Sequence, residues 1–367
     1  MNKIYSKKID NLARKILEKL FGWIFNISYA PKGVLLDDKK SDLTFSTVKP
    51  DKKNKEVYRV YGIPNGQLFT DRSVYIAVSY KRLLVPGASW QWKDRKILPT
   101  HENPALKTGT PQPISHFKGK VLSLLTGGSG NYNYYHWLYD VLPRIYLYQL
   151  HSDLNLIDYL LAPDLSYAFQ LETLKILNIE DKRIISSAKF RHIKADYLMV
   201  VDHPNPDSHN PPEWITDWLK STFLPKLESA NIIKQHIYVS RGDSAHQRRL
   251  LNEHEVVKFL KRKGFSTCVL SDLSFVEQVN LFYNAETIIG VHGAGLTNLT
   301  FSKPGTKVIE LFGKNYTPKM YEKISAFNGL DYSSIVSEDV DVSQSPQTAN
   351  FSVSLKELEE QLNSMGE

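Results

Sequence analysis

A chain of 367 residues, 42% hydrophobic and 23% charged, exceeds the size at which one hydrophobic core stops growing, so two domains are expected and disordered, collagen-like and disulfide-scaffold classes are excluded. The formal charge of +7 suits an anionic partner but does not choose among nucleic acid, a phosphorylated substrate and an acidic membrane. The single cysteine, Cys268, excludes an intramolecular disulfide and, inside the apolar run Phe265 to Leu270, reads as a buried thiol.

Residues 1–30 form the first segment. Ile9, Leu12, Ala13, Ile16, Leu17, Leu20 and Ile24 recur at helical spacing, with Lys7, Lys8, Arg14, Lys15 and Lys19 on the other faces. Such a helix either docks on the protein's own body or lies on a membrane surface. No stretch approaches the roughly 18 apolar residues of a spanning helix, so a cytoplasmic location is expected, with peripheral membrane contact through residues 1–30 left open.

Residues 31–205 read as a domain with a β-rich start. A polar stretch over residues 31–56 precedes strand candidates Val57 to Tyr61 and Ser73 to Ser79, and Pro86 to Pro113 reads as irregular connection. Beyond Lys120, strand candidates Val121 to Leu125, Asp158 to Ala162, Arg183 to Ile185 and Tyr197 to Asp202 alternate with helical periods, which implies a parallel sheet covered by helices. Between the first two, His136, Asp140 and Arg144 are spaced by four and share a face if one helix carries them. An imidazole beside a carboxylate suits proton abstraction from a hydroxyl, with His136 or Asp140 as the base. Pro143 threatens that face by kinking the helix. The rings of Tyr135 and Trp137 suit the apolar faces of sugars, although they could equally be core.

Four prolines between His203 and Pro212 mark a boundary, and residues 206–335 read as a second α/β unit. Its strands are His236 to Ser240, Phe265 to Leu270, Thr287 to Val291 and Lys307 to Phe312, with helices near Asn252 to Lys263 and Ser274 to Asn284, the spacing of a doubly wound sheet. The strand Thr287 to Val291 runs into His292-Gly293-Ala294-Gly295, where glycines let the backbone turn sharply and approach a ligand, and helix-terminal amides favour a diphosphate. Glu310 ends the next strand and could accept hydrogen bonds from ribose hydroxyls, while Arg241, Arg248 and Arg249 could neutralise the phosphates. Residues 336–367 read as a polar excursion followed by a terminal helix over Ser354 to Asn363.

Neighbouring chemistries fail. Asn298 stands where the dinucleotide fingerprint needs its third glycine, no P-loop string occurs, and Gly127-Gly-Ser-Gly-Asn131 departs from the hydrolase elbow. One cysteine and no H-E-x-x-H string argue against zinc, and Asp339-Val-Asp341 lies in the polar tail, so metal-independent chemistry is expected, without a cofactor. Nucleic-acid binding has only the net charge behind it.

Together, Asn133 to Asp140 with Leu142-Pro-Arg144, Tyr238-Val-Ser-Arg241 with Arg248 to Glu253, and Val291 to Asn298 with Pro304-Gly305 and Val308 to Leu311 resemble glycosyltransferase family 61. The resemblance implies a GT-B fold, two Rossmann-like domains facing each other across a cleft, and inverting transfer from a nucleotide-sugar donor, a UDP-sugar foremost, to a glycan or lipid-linked glycan. By motif position it implies a donor site of Arg241, His292, Gly293, Gly295 and Glu310, with His136 or Asp140 as the base; Arg248, Arg249, Ala294, Asn298, Asn133, Tyr135, Trp137 and Arg144 complete the expected substrate-binding set. Capsular, exo- or lipopolysaccharide synthesis is the expected setting. The rival is a non-catalytic protein of the same fold that grips a nucleotide sugar or polysaccharide without turnover. Flotation with liposomes, with and without residues 1–30, separates the two fates of the first helix: equal flotation means that it docks on the protein.

Overall fold

A computed structural model describes residues 30–36, 43–51, 56–71, 74–93, 96–110, 112–126, 132–179, 183–226, 235–242, 248–338, 343 and 345–366, with positions 16, 20 and 23 before them. The amphipathic segment 1–30, the glycines and serine of 127–130 and the Asp339–Asp341 string therefore lie almost wholly outside the described residues. Among those described, no helix is long and apolar enough to cross a membrane. The chain forms two compact units, one ending at Ser166 and resuming over Asn178–Pro204, the other comprising Tyr167–Leu177 and Asn205–Glu367.

The first unit opens with β1 (Gly33–Val34), β2 (Thr44–Val48), β3 (Tyr58–Pro64), β4 (Gln67–Thr70), β5 (Val74–Val78), β6 (Leu83–Leu84), β7 (Trp90–Lys93) and β8 (Lys96–Ile97). The stretch expected to be irregular thus contains two short strands. Next come β9 (Ser115–Ser123), β10 (Tyr159–Ala162), β11 (Ile184–Ser186) and β12 (His192–Val201). Strands β12, β9, β10 and β11 pair parallel in that order, as the alternating pattern predicts. The other edge of β12 is antiparallel: Tyr197–Val201 pair with β3 and His192–Lys194 with β4. The ten-residue β12 is long enough to pair with β3 and β4 end to end, and between them Asn65 adopts φ 49°, a left-handed kink that asparagine tolerates. The sheet is consequently mixed: the parallel run β12-β9-β10-β11 is extended on its β12 side by antiparallel strands. Its core gathers Tyr61, Ile63, Leu68, Tyr75, Val121, Leu198 and Val200.

The second unit is a five-stranded parallel sheet of β13 (Gln235–Ser240), β14 (Ser266–Val269), β15 (Ala285–Val291), β16 (Lys307–Gly313) and β17 (Asp331–Ser337), in the order β14-β13-β15-β16-β17. This is a doubly wound order, with its topological switch between β13 and β15. Its helices carry legible ends. Glu253 and Glu255 open the helix Glu253–Arg262 and Lys261 and Arg262 close it, complementing the macrodipole. Ser274 and Glu277 form a capping box at Phe275–Asn284, and Ser354 caps Leu355–Ser364. The helix Met320–Asn328 stops at Gly329, whose φ of 63° is the left-handed C-terminal position.

Two segments extend this unit beyond its sequence-read limits. The helix Ala168–Ile176 joins it, with Glu172 accepting the backbone N–H of Phe275 at 2.6 Å. The polar tail also folds back: Phe351, Val353, Leu358 and Leu362 enter the core beside Tyr238, Ile289 and Ile309, and Leu250 and Phe351 form a parallel bridge. A stretch that looks like a surface excursion therefore closes one face of the sheet.

One charged side chain is central to the first unit. Arg144 has no exposed surface; its Nη1 donates to the Val201 carbonyl at 2.7 Å, its Nε to the Asp140 carbonyl at 3.2 Å, and its guanidinium lies 5.6 Å from the Tyr75 ring centre. Replacing it by Met should cost this unit about 2–4 kcal/mol, because two carbonyls lose a charged donor inside the protein, an effect read from the urea midpoint with His136-dependent activity measured separately.

Candidate active site

The helix bearing His136 survives Pro143 by changing its winding. Asn133 caps it, its side-chain oxygen accepting from the amides of Tyr135 and His136 at 2.9 and 3.4 Å. A regular turn, Tyr134–His136, passes into a π turn, Trp137–Val141, before Pro143–Gln149 resumes as α-helix. Leu142 bonds back to the Trp137 carbonyl, five residues earlier, and Pro143 enters at the first position of the next helix, where its missing N–H costs little.

His136 and Asp140 consequently share a face, with Nδ1 2.6 Å from Asp140 Oδ2. The His136 side chain keeps 22% of its surface and Asp140 only 5%. A carboxylate held on Nδ1 fixes the tautomer with Nε2 free of hydrogen, the form that accepts a proton. Other expected substrate contacts in this unit fall elsewhere. Asn133 is spent on the cap, Trp137 is wholly buried, Tyr135 stacks on Tyr139 with ring centres 4.9 Å apart, and Arg144 faces inward. These residues fix the dyad's position, and of the dyad itself His136 is the part-exposed member.

In the second unit, Arg241 follows the end of β13 and His292 the end of β15, at the switch point where a ligand crevice opens. Arg241 Nη1 donates to the His292 carbonyl at 2.7 Å. Gly293 is extended, at φ 175° and ψ 169°, so it is not a turn glycine. A Cβ there would sit 2.8 Å from Arg241 Nη1, and a Cβ on Gly295 would sit 2.7 Å from Leu270 Cδ1. The expected sharp turn is replaced by a close approach: glycine at 293 makes room for the guanidinium. The segment Ala294–Phe301 is 3-10 helical, and the Ala294 and Gly295 amides that open it have no acceptor inside the helix. Asn298 is buried, its amide donating to Gln278 and the Gly295 carbonyl.

Glu310 also differs from expectation. It is fully buried, one oxygen 2.5 Å from His292 Nδ1 and the other accepting the Tyr332 hydroxyl at 2.7 Å, so neither is free for ribose. The register accounts for this: Gly290 pairs with Glu310, so His292, two residues on, shares that face. Burial pushes the Glu310 carboxyl up to about 8, against the pull of Tyr332 and Arg248. Burial foremost, then Arg248, Arg241 and His209, drives the His292 imidazole well below its ordinary value.

Arg248 supplies a second cation. Its backbone is left-handed at φ 55°, its N–H donates to Thr348, its guanidinium lies 5.1 Å from the Tyr316 ring centre, and Nε and Nη1 are enclosed without a hydrogen-bond partner among the described residues. Burial, then the charge of Arg248, lowers Arg241 to about 10. Two guanidinium groups repelling each other at a strand end constitute a site electrostatically matched to an anion. Arg249 is exposed, and its N–H donates to Asn350. The sequence does not single out Phe312, Tyr316, Tyr321 or Tyr332; the rings of the first three surround His292 at 5.1–5.6 Å. Only the aromatic-rich stretch after β16 hints at them. Among the described residues, no three His, Cys, Asp or Glu side chains converge to hold a metal ion.

The second unit thus carries an anion-receptive switch point and the first an oriented His–Asp pair, within an α/β protein. Residues 134–309 match the family model described as Glycosyltransferase 61. It is 31% identical over 130 residues to a beta-1,2-xylosyltransferase of Arabidopsis thaliana, 32% over 115 residues to beta-1,2-xylosyltransferase RCN11 of Oryza sativa subsp. japonica, and 31% over 94 residues to the EGF domain-specific O-linked N-acetylglucosamine transferase of Bos taurus. These matches take in 30%, 27% and 24% of this chain and span 24%, 22% and 18% of the relatives' lengths.

Replacing Gly293 by Ala should displace the Arg241 guanidinium and weaken binding of an anion such as inorganic pyrophosphate about tenfold, or about 1.4 kcal/mol, with the thermal midpoint nearly unchanged. Titration calorimetry beside a melting curve checks both.

Proposed function

We propose that this protein is an inverting, metal-independent glycosyltransferase of the GT-B type that moves a sugar from a nucleotide-sugar donor, a UDP-sugar foremost, to a hydroxyl of a glycan or lipid-linked glycan. The observation that carries the reading is the pairing of Arg241 and Arg248 about His292 at the switch point of the parallel sheet. The match to the Glycosyltransferase 61 model and the similarity to proteins named as a xylosyltransferase and an O-linked N-acetylglucosamine transferase support the reaction class.

In this reading the diphosphate lies against Arg241, Arg248 and the Ala294 and Gly295 amides, which supply the positive charge that a divalent ion supplies elsewhere. His136 Nε2 removes the proton of the acceptor hydroxyl, and Asp140 stabilises the resulting imidazolium. The hydroxyl oxygen forms a bond to the sugar C1 as the C1–oxygen bond to the diphosphate breaks, its electron pair leaving with the nucleoside diphosphate. Capsular, exo- or lipopolysaccharide synthesis at the inner face of a membrane is the setting proposed.

His136→Ala should leave UDP binding nearly intact and lower transfer by ~10²- to 10⁴-fold, measured as UDP release from a panel of UDP-sugars with an acceptor pool. Undiminished release would remove His136 as the base, and binding without any release by the wild-type protein would favour a non-catalytic binding role. Activity should persist in EDTA; loss that Mn²⁺ restores would overturn the metal-independent mechanism.

A further inference from the structure

The imidazole of His292 is held on every side but one. Its backbone N–H donates to Leu311 and its carbonyl accepts from Arg241, while Phe312 lies nearly parallel to the ring and Tyr316 and Tyr321 approach at steeper angles. Nδ1 meets Glu310 Oε1 at 2.5 Å, and Nε2 makes no hydrogen bond among the described residues. Behind the pair, Tyr332 donates to Glu310 Oε2, and burial with the neighbouring carboxylate keeps that phenol protonated.

The chain of donors decides where a proton can sit. With Oε2 taken by the Tyr332 hydroxyl, a proton on Glu310 resides on Oε1, in line with Nδ1. An imidazole that accepts at Nδ1 carries its own hydrogen on Nε2, the tautomer that donates to an anion. Were Glu310 ionised beside a neutral imidazole, Nδ1 would hold the hydrogen and Nε2 would turn a lone pair towards the phosphate.

Resting on the donor-site reading above, we propose that Tyr332, Glu310 and His292 form a buried proton relay for the leaving group. Nε2–H donates to a diphosphate oxygen, and as that oxygen gains charge the proton on Glu310 Oε1 passes to His292 Nδ1. The O–H bond of the carboxyl breaks, the N–H bond at Nδ1 forms, and the pair remains neutral overall as carboxylate and imidazolium. The proton returns when the nucleoside diphosphate departs. His292 is thereby a catalytic residue, and Glu310 and Tyr332 are positioning residues acting through it.

The surrounding charges favour this direction. The groups facing the pair are Arg241, Arg248 and His209, whose positive field suppresses the imidazolium, together with Glu322, Tyr316 and Tyr321. A bound diphosphate offsets the arginine field, so the imidazolium becomes more favourable when the leaving group needs it. A carboxyl that holds its proton up to about 8 keeps the relay loaded at neutral pH.

The experiment is ¹⁵N spectroscopy of the full chain labelled at histidine, at pH 7, titrated with inorganic pyrophosphate and, separately, with UDP. In the free protein His292 should show a protonated Nε2 and a bare Nδ1, and saturation with either ligand should move Nδ1 towards the protonated shift. E310Q should still bind pyrophosphate within about threefold, since the Gln side chain can donate to Nδ1, yet its Nδ1 should stay unprotonated; Y332F should give a partial shift. If neither pyrophosphate nor UDP binds, the donor-site reading fails and takes the relay with it. Binding with unchanged His292 nitrogen signals overturns the relay alone. Turnover of E310Q at the wild-type kcat would overturn it as well.

Discussion

The 2.5 Å contact between His292 and Glu310 governs the second unit's chemistry, because neither group is tolerable there alone. An ionised carboxylate in so enclosed a place carries a large desolvation penalty, and an unpaired imidazole nitrogen would forfeit a hydrogen bond of comparable worth. Sharing one proton settles both. The arrangement depends on sheet register, since Gly290 must lie opposite Glu310 for His292 to project over the same face, and Ser334 must lie opposite Glu310 for Tyr332 to reach it. A slip by one residue in β15 or β17 would turn these side chains to the other face. The apolar residues of the opposite face, Ile289, Ile309 and Leu311 among them, prevent that slip by requiring burial against the helices.

Period and composition made most elements of both units readable. Val121, Tyr159, Ile237, Ile289 and Ile309 lie in strands that alternation and spacing predict, and the helices Phe275–Asn284 and Leu355–Ser364 begin at capping serines visible in the sequence. What was not legible is long-range. Nothing local tells that β12 pairs parallel on one edge and antiparallel on the other, which makes the first sheet mixed. Nor does a run of Ser, Gln and Asp reveal that Phe351 and Val353 return to the core.

The site shows the same division. Spacing by four was enough to join His136 to Asp140, yet it could not foresee that a π turn would carry the face past Pro143. The glycines at 293 and 295 were legible as places where a side chain is unwelcome, but the reason is contact with Arg241 and Leu270 rather than a left-handed turn. Motif position brought Glu310 to notice and misjudged its neighbours, because a carboxylate at a strand end looks the same in sequence whether it faces a ligand or a tyrosine on the next strand. Tyr332 carried no signal at all, its importance arising only from the pairing of β16 with β17.

The two histidines illustrate how burial assigns different tasks to the same kind of pair. His136 lies beside a carboxylate at 2.6 Å with part of its ring exposed to solvent. His292 lies beside a carboxylate at nearly the same distance, but enclosed, with two arginines pressing on it. Any proton it gains must come from Glu310, and any charge it develops must be answered by an anion. A group that exchanges with solvent suits a base that turns over with each acceptor, whereas a group whose proton is trapped suits a charge that rises and falls with one leaving group. The distance within each pair does not separate them. The surrounding dielectric and charge do.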